Sequence, residues 1–397
     1  MTNKTTKDSP LAGVRVLDIG HALAAPMAAT LLGDFGADVI KVERPDGGDA
    51  MRRLGPFKDG VSLWWKVSAR NKKCVTLNIQ SPEGKQLLER LVEQSDVLVE
   101  NYRPGTLERL GLGWDRLHAI NPRLVVLRIS GYGQTGPRRE SPGFGRAGEA
   151  MSGVVHVTGF AEGAPMHIGF SLADTVSGLM GAYGVMMALY WRDQGGGEGQ
   201  VIDLALYETL FRLIEWQVIS HQQLGVLPMR QGNNFPFPLS TVLSNVYRTR
   251  DQRWVTVSAA TPPVVRRVAR MLGVATDEST LPDIKAIDQM LVSWMAERSL
   301  EEVLAEFERA DAVAAPVYDM DMIVKDPTYE ARGNLVTVDD DELGPVRMQN
   351  VVPSMSRTAG EVQWTGPALG AHNDEVFGSL LGLTAPALAE LRARGAI

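Results

Sequence analysis

Val14 to Ile19 is a short apolar run suited to a buried strand, Pro26 to Phe35 reads as a helix stopped at Gly36, and Asp38 to Val42 (DVIKV) reads as the next strand. Strand, helix and strand within about 30 residues imply a right-handed parallel crossover, the unit of doubly wound α/β folds. The pattern recurs. Ser81-Pro82-Glu83 supplies a cap and a proline at the first helical position, Leu87, Leu88, Leu91 and Val92 share one helix face, and Asp96 to Glu100 follows as strand. Leu124 to Ile129 is a further buried-strand candidate. An apolar helix over 175–192 ends in the glycines Gly195, Gly196, Gly197 and Gly199, and Gln200 to Leu204 resumes as strand. Residues 1–205 thus read as the larger part of a Rossmann-like α/β domain.

After about residue 225 the character changes. A linker helix is expected over 206–230, and Gly232-Asn233-Asn234-Phe235-Pro236-Phe237-Pro238 reads as a loop. Asn245 to Val257 reads as a hairpin turning at Asp251-Gln252, with helices through about 310. Residues 231–325 are therefore expected to form a small α+β domain, with 326–397 returning to the large one. In that return, Asp339-Asp340-Asp341-Glu342 is expected as a solvated turn and Thr384 to Arg394 as an amphipathic helix.

Composition removes several functional classes. With 40 Lys+Arg against 47 Asp+Glu the net charge is −7, which supplies no overall basic surface for nucleic acid. Cys74 is the one cysteine, so no internal disulfide, CxxC pair or Cys-rich metal site can form, and a reducing, cytoplasmic setting is expected. The first ten residues are polar and lack the apolar core of a secretory signal. Gly178 to Trp191 is shorter than the roughly 20 apolar residues that cross a bilayer, so a buried helix is expected and no membrane partner.

His21, His118, His156, His167, His221 and His372 show no metal-type spacing, and no GxSxG elbow is present. Gly131-Tyr132-Gly133-Gln134-Thr135-Gly136 matches GxGxxG after a strand. Pro137, Arg138, Arg139 and Pro142 stand where its helix should begin, so the glycines are expected to form a tight loop near a ligand rather than a nicotinamide site. Asp174, in Gly169-Phe170-Ser171-Leu172-Ala173-Asp174-Thr175, stands where a polar loop meets the apolar helix. Its residue type suits a helix N-cap, and the N–H groups and dipole there would keep the carboxylate ionised.

Several ordered motifs resemble those of the family III CoA-transferases, a group that also includes α-methylacyl-CoA racemase. They are Leu11-Ala12-Gly13-Val14-Arg15-Val16-Leu17-Asp18, the run Gly36 to Glu43, and Glu100-Asn101-Tyr102-Arg103-Pro104-Gly105. Later come Gly199-Gln200-Val201-Ile202-Asp203, Arg332-Gly333 and Leu369-Gly370-Ala371-His372-Asn373. The resemblance covers nearly the whole chain. It implies an acyl-CoA:carboxylate CoA-transferase in which Asp174 is the nucleophile, with aspartyl anhydride and aspartyl-CoA thioester intermediates and coenzyme A thioester as substrate, with no further cofactor and no metal. Arg44, Asn101, Tyr102 and Arg109 match the family's CoA-binding positions, with Leu77, Gln80 and Leu110 lining the same region. Lys72 and Lys73 are assigned either to CoA or to a solvated surface. The partners implied are an acyl-CoA donor, by analogy succinyl-CoA, a carboxylic acid acceptor, and a second copy in an interlocked homodimer.

The departures bear on substrate. Phe144 stands where the racemase branch has a proton-transferring histidine, which disfavours racemisation. Leu23, Gly145 and Phe235 to Pro238 differ from formyl-CoA transferase, which puts oxalate in doubt. The alternatives are an acyl-CoA racemase or epimerase, or a non-catalytic CoA-binding homologue.

Overall fold

The computed structural model describes residues 9–234, 242–277 and 279–397. Phe235 to Pro238 of the expected loop lie outside the described residues. The chain forms two compact units, one of Met1–Gly153, Gly169–Leu213 and Glu330–Ile397, the other of Val154–Ile168 and Ile214–Tyr329.

The first unit is a mixed α/β fold around a parallel sheet. Its strands are β1 (Arg15–Asp18), β2 (Asp38–Glu43), β3 (Lys72–Thr76), β4 (Val97–Glu100), β5 (Val125–Ser130) and β6 (Val201–Ala205), in the order β3-β2-β1-β4-β5-β6. That order is the Rossmann order, and its direction reverses between β1 and β4. Helix α1 (Ala24–Asp34) connects β1 to β2, and α2 (Pro82–Glu93) connects β3 to β4. Ser81 caps α2 by accepting the Gly84 N–H at 3.0 Å, with Pro82 at the first helical position. Further along come α3 (Gly145–Met151), α4 (Leu172–Trp191) and α5 (Leu206–Leu213).

Both sheet faces are covered, which is why β1, β4 and β5 read as largely apolar runs, while β3, beginning Lys72-Lys73, carries no such signal. Leu17, Ile40, Val75, Leu98 and Val126 point to one side, where Leu87, Leu88, Leu91 and Val92 of α2 meet them with Val376 and Phe377 from the returning chain. On the other side α4 packs against α1 and β5. A Cβ at Gly178 would lie 2.6 Å from Met27 Cβ, and one at Gly181 2.8 Å from Leu127 Cδ2, so these two glycines set the closeness of that approach. At 20 residues α4 is long and apolar enough to cross a bilayer, but its small-residue stripe is spent on this packing.

The returning chain covers the open edge of β3. His372 Nδ1 accepts the Cys74 N–H at 3.1 Å, Asn373 Oδ1 accepts the Thr76 N–H at 2.8 Å, and Trp364 Nε1 donates to the Lys72 carbonyl at 3.0 Å.

The second unit contains the expected hairpin, β7 (Leu243–Arg248) paired with β8 (Trp254–Ala259), with Gln252 in the turn at φ 63. A third strand, β9 (Ala314–Pro316), pairs with β8, and three helices over 262–309 bury Val265, Leu291 and Phe307 against the sheet. In the first unit again, β10 (Leu335–Asp340) and β11 (Gly344–Gln349) form a hairpin, and Thr384 caps the last helix, α6 (Ala385–Ala393), by accepting the Ala387 N–H. The acidic run does turn at this hairpin, but Asp340 is not solvated. It is buried 2.8 Å from Lys66 Nζ and accepts the Thr365 hydroxyl, because a cation 274 positions earlier in the chain provides a partner that local sequence cannot show.

Candidate active site

Ligands of open α/β sheets bind beyond the carboxyl ends of the strands where strand order reverses. Here that place is bounded by the loop after β1, Gly20 to Leu23, and by Asn101 and Tyr102 after β4. Asn101 fixes the loop from one side, its Oδ1 accepting the His21 N–H at 2.7 Å and its Nδ2 donating to the His21 carbonyl at 2.8 Å. The Tyr102 ring meets the His21 ring edge-on at 4.9 Å.

From below, the loop is held by buried charge. Lys41, 1% exposed, lies 2.9 Å from Asp49 Oδ2 and 3.5 Å from Asp18 Oδ1, and it donates to the Gly20 carbonyl. Asp49 Oδ1 accepts the Ala22 N–H at 3.0 Å, and Asp18 Oδ1 accepts the Gly20 N–H at 3.0 Å. Ala22 is thereby kept at φ 57, a left-handed conformation that non-glycine residues rarely adopt. Burial alone would lower the Lys41 pKa, but Asp18, Asp49 and Glu43 raise it above the usual lysine range. Lys72 is buried as well, 2.8 Å from Asp18 Oδ2 and 2.7 Å from the Pro26 carbonyl, and desolvation pushes its pKa down. It is therefore neither a surface lysine nor a side chain free to reach a ligand. Lys73, partly exposed, pairs with Asp38 at 3.0 Å and Glu375 at 2.8 Å.

The remaining candidates for CoA follow the same edge of the sheet. Arg44 is exposed immediately after β2 and forms a two-pronged pair with Asp46. Leu77 follows β3, its N–H bonded to the Glu43 carbonyl at 2.7 Å, but its side chain is 1% exposed and belongs to the core. Tyr102 and Leu110 pack on the same cluster. Burial raises the Tyr102 hydroxyl to about 12. Gln80 is exposed in the loop leading to α2. Arg109 is exposed too and lines a cleft of about 580 Å³ with Arg103, Arg128 and Arg139. The glycine-rich segment after β5 is a loop without a helix, as expected. Asp203 of β6 holds it, accepting the Gln134 N–H at 3.0 Å.

Asp174 departs from the expected cap. Ser171 occupies the N-cap position and Asp174 the third position of α4, with no side-chain cap bond. Its carboxylate faces α3: a Cβ on Gly145 would sit 2.5 Å from Asp174 Oδ2, so any larger residue there would collide with it. The pKa moves opposite to expectation, up to about 6. Burial is the main cause and the charge of Glu149 the second. Asp174 is only partly buried, so its carboxylate remains within reach of a ligand. Phe144, 78% exposed, immediately precedes Gly145, so this position beside Asp174 carries no proton-transferring side chain. Among the described residues no group of three or more His, Cys, Asp or Glu could hold a metal ion.

Sequence reading missed Asp18, Lys41, Asp49 and Glu149. A signal was present for Lys41, since a lysine inside DVIKV can only be buried if a carboxylate meets it.

A parallel α/β sheet with a reachable carboxylate at the start of a helix is an architecture suited to acyl transfer through a side-chain nucleophile. The chain belongs to CoA-transferase family III, whose family model matches residues 11–373. It is accordingly an enzyme of the CoA-transferase class. Among curated proteins it is 42% identical over 398 residues to "Succinyl-CoA--D-citramalate CoA-transferase" of Chloroflexus aurantiacus, covering 98% of each chain. It is also 42% identical over 408 residues to "Succinyl-CoA--L-malate CoA-transferase beta subunit" of the same organism, covering 99% of each. Among solved structures, a CAIB/BAIF family protein from Brucella suis superposes with a TM-score of 0.83 at 28% identity, covering 94% of this chain and all of that one.

Proposed function

We propose that this enzyme moves CoA from succinyl-CoA to a small hydroxylated dicarboxylic acid of the malate or citramalate type, with Asp174 as covalent carrier. The observation that carries the reading is the placement of Asp174: a partly buried residue whose carboxylate oxygen lies against Gly145, which has no side chain to crowd it. A carboxylate Oδ attacks the thioester carbonyl, the C–S bond breaks, and CoA leaves as thiolate, giving a mixed anhydride. The thiolate then attacks the Asp174 carbonyl, releasing the donor acid and leaving an aspartyl-CoA thioester. The acceptor carboxylate attacks that thioester and the two steps run in reverse. With a pKa of about 6, Asp174 is about nine-tenths ionised at pH 7 and so competent for attack. The donor and acceptor class rest on the names of the two Chloroflexus relatives.

The test is to trap the carrier. Incubation with succinyl-CoA and hydroxylamine should convert Asp174 to its hydroxamate, and borohydride should reduce the aspartyl thioester to an alcohol at the same residue. Peptide mass spectrometry that finds residue 174 unmodified, in enzyme active on a panel of acids, removes the covalent route. Solvent deuterium entering the α-carbon of a branched acyl-CoA without any acceptor acid would instead establish the racemase reading, against which Phe144 stands.

Self-association, with interlocked chains, belongs to the same proposal. Leu179, Tyr183, Met186, Met187, Tyr190 and Trp191 are exposed along α4, an apolar face too large to be left in water. A second copy covers it. Sedimentation of Tyr183→Glu and Tyr190→Glu variants should show dissociation or aggregation, and a monomeric parent protein rejects the idea outright.

A further inference from the structure

Phe144 is 78% exposed, more than any other large apolar side chain among the described residues. The peptide that carries it is nonetheless held fast. A Cβ on Gly143 would lie 3.0 Å from Gly131 Cα and 3.0 Å from the Tyr132 ring, so the chain there rests directly on the glycine-rich loop after β5. A Cβ on Gly145 would lie 2.5 Å from Asp174 Oδ2. Between the two glycines Phe144 is extended, at φ −135 and ψ 172, and its carbonyl accepts the Ala147 and Gly148 N–H groups at 2.9 and 3.1 Å as α3 begins. The only side chain of Gly143-Phe144-Gly145 is thus an aromatic ring in solvent, one residue from the contact with the carboxylate.

A second ring belongs to the segment that carries Asp174 itself. Phe170, 55% exposed, stands in the loop entering α4, one residue before the N-cap Ser171 and four before Asp174, its carbonyl accepting the Leu172 N–H at 2.9 Å. One exposed apolar side chain is ordinary. Two of them, on the two segments that meet at one reactive carboxylate, make an apolar rim with nothing to cover until a ligand arrives.

We propose that Phe144 and Phe170 close over the acyl group on Asp174 and keep water from it, so that this rim sets the ratio of CoA transfer to acyl-CoA hydrolysis. The inference rests on Asp174 being the acyl carrier. Both carrier forms are electrophiles, and water outnumbers any acceptor acid. In the anhydride, a water oxygen bonds to the acyl carbon and the bond to Asp174 Oδ breaks. Donor acid and Asp174 both leave as carboxylates, and of the two protons released the CoA thiolate takes one. In the thioester, a water oxygen bonds to the Asp174 carbonyl carbon, the C–S bond breaks, and CoA departs as thiol with one further proton released. A carboxylate open enough to meet acyl-CoA cannot exclude water by its own burial. Exclusion falls to side chains that are wet in the free enzyme and dry once the substrate is seated. Phenylalanine suits the task, because its ring brings a large apolar surface and neither binds a water molecule strongly nor attacks an anhydride.

The experiment follows succinyl-CoA in heavy-oxygen water, with and without malate, for the parent, Phe144→Ala, Phe144→Leu and Phe170→Ala. Transfer is read as malyl-CoA, and hydrolysis as thiol released without acceptor above the enzyme-free rate. Heavy oxygen in the peptide containing residue 174 reports water attack on the thioester, and in the donor acid attack on the anhydride. Phe144→Ala should lower the ratio of transfer to hydrolysis about tenfold, with label rising to match, and Phe170→Ala should lower it by a smaller factor. Phe144→Leu keeps an apolar cover and should stay near the parent. The melting temperature of Phe144→Ala should equal that of the parent, since the exposed ring is not packed. An unmoved ratio in folded Phe144→Ala overturns the inference and leaves the transferase reading intact. A ratio that falls only in variants whose sedimentation shows separated subunits assigns the rings to a subunit interface and overturns it as well. A parent that transfers CoA to no acid of the panel, or is never acylated at residue 174, overturns the proposed function and the role of the rim with it.

Discussion

Asp174→Ala is expected to lower CoA exchange by at least about a thousandfold, because a route through a covalent carrier has no bypass when the attacking oxygen is removed. Acyl-CoA binding should survive, since the residues at the strand ends are untouched, so the loss falls on kcat. Asp174→Asn is the structural control. The carboxyl pKa in the folded state is raised from 3.8 to about 6, so the protonated side chain is the one the fold prefers. That preference contributes full stability below about pH 4 and is lost as pH rises through about 6. The amide imitates the protonated acid. The Asp174→Asn variant should therefore be more stable than the parent by about 2 kcal/mol above pH 7, a figure reduced for the partial exposure of the side chain, with the gain vanishing below about pH 4. Undiminished turnover in Asp174→Ala would end the proposal, and a less stable amide variant at pH 8 would show that Asp174 is a structural cap after all.

The second large effect is expected at Lys41. Replacement by methionine keeps most of the volume but leaves Asp18 and Asp49 buried together, with Lys72 still paired to Asp18. Breaking a buried pair from one side typically costs about 3–5 kcal/mol. At about 2–4 °C per kcal/mol for a unit of this size, the melting temperature should fall by roughly 10 °C. The Lys41 pKa is raised, so its contribution is complete at every pH below the usual lysine range and is lost only under strongly alkaline conditions. The denaturation difference should thus be flat between pH 6 and 9. A cost below about 1 kcal/mol, or a strong pH dependence in that window, would contradict the ion cluster described for the loop. Freed of Lys41, the Gly20 to Ala22 loop should also relax Ala22 from its left-handed conformation and weaken acyl-CoA binding.

Much of the parallel sheet could be read from periodicity because β1, β4 and β5 are buried on both faces and read as largely apolar runs, whereas β3 (KKCVT), opened by two lysines, was not read as a strand. The 243–259 hairpin and the final helix were equally plain, marked by their own turn and cap residues. Charged residues were where the reading failed. Lys72 looks like half of a surface pair, yet its partner Asp18 lies 54 positions away and both are sealed in the core. Asp340 sits in an acidic run, and Lys66 reaches it only after the chain has returned. Asp174 was singled out by the family resemblance, its place at a helix start being equally that of a cap, while Glu149 was passed over, because the approach of α3 to α4 is a fact of packing and depends on Gly145 having no side chain. Local patterns report local structure, and the ionisation of a carboxylate is decided by whatever the fold brings within a few ångströms.

The clasp on β3 has a bearing on how the protein is made. Thr76 finds its partner Asn373 only 297 positions later, so on the ribosome the outer strand of the sheet is translated long before the segment that seals it. Until the segment carrying Trp364, His372 and Asn373 emerges, a nascent chain carries an unguarded strand edge able to pair with another chain's. Closure of the sheet therefore waits on a segment 297 positions downstream of the strand it seals, and shelter for a growing polypeptide matters most in that interval.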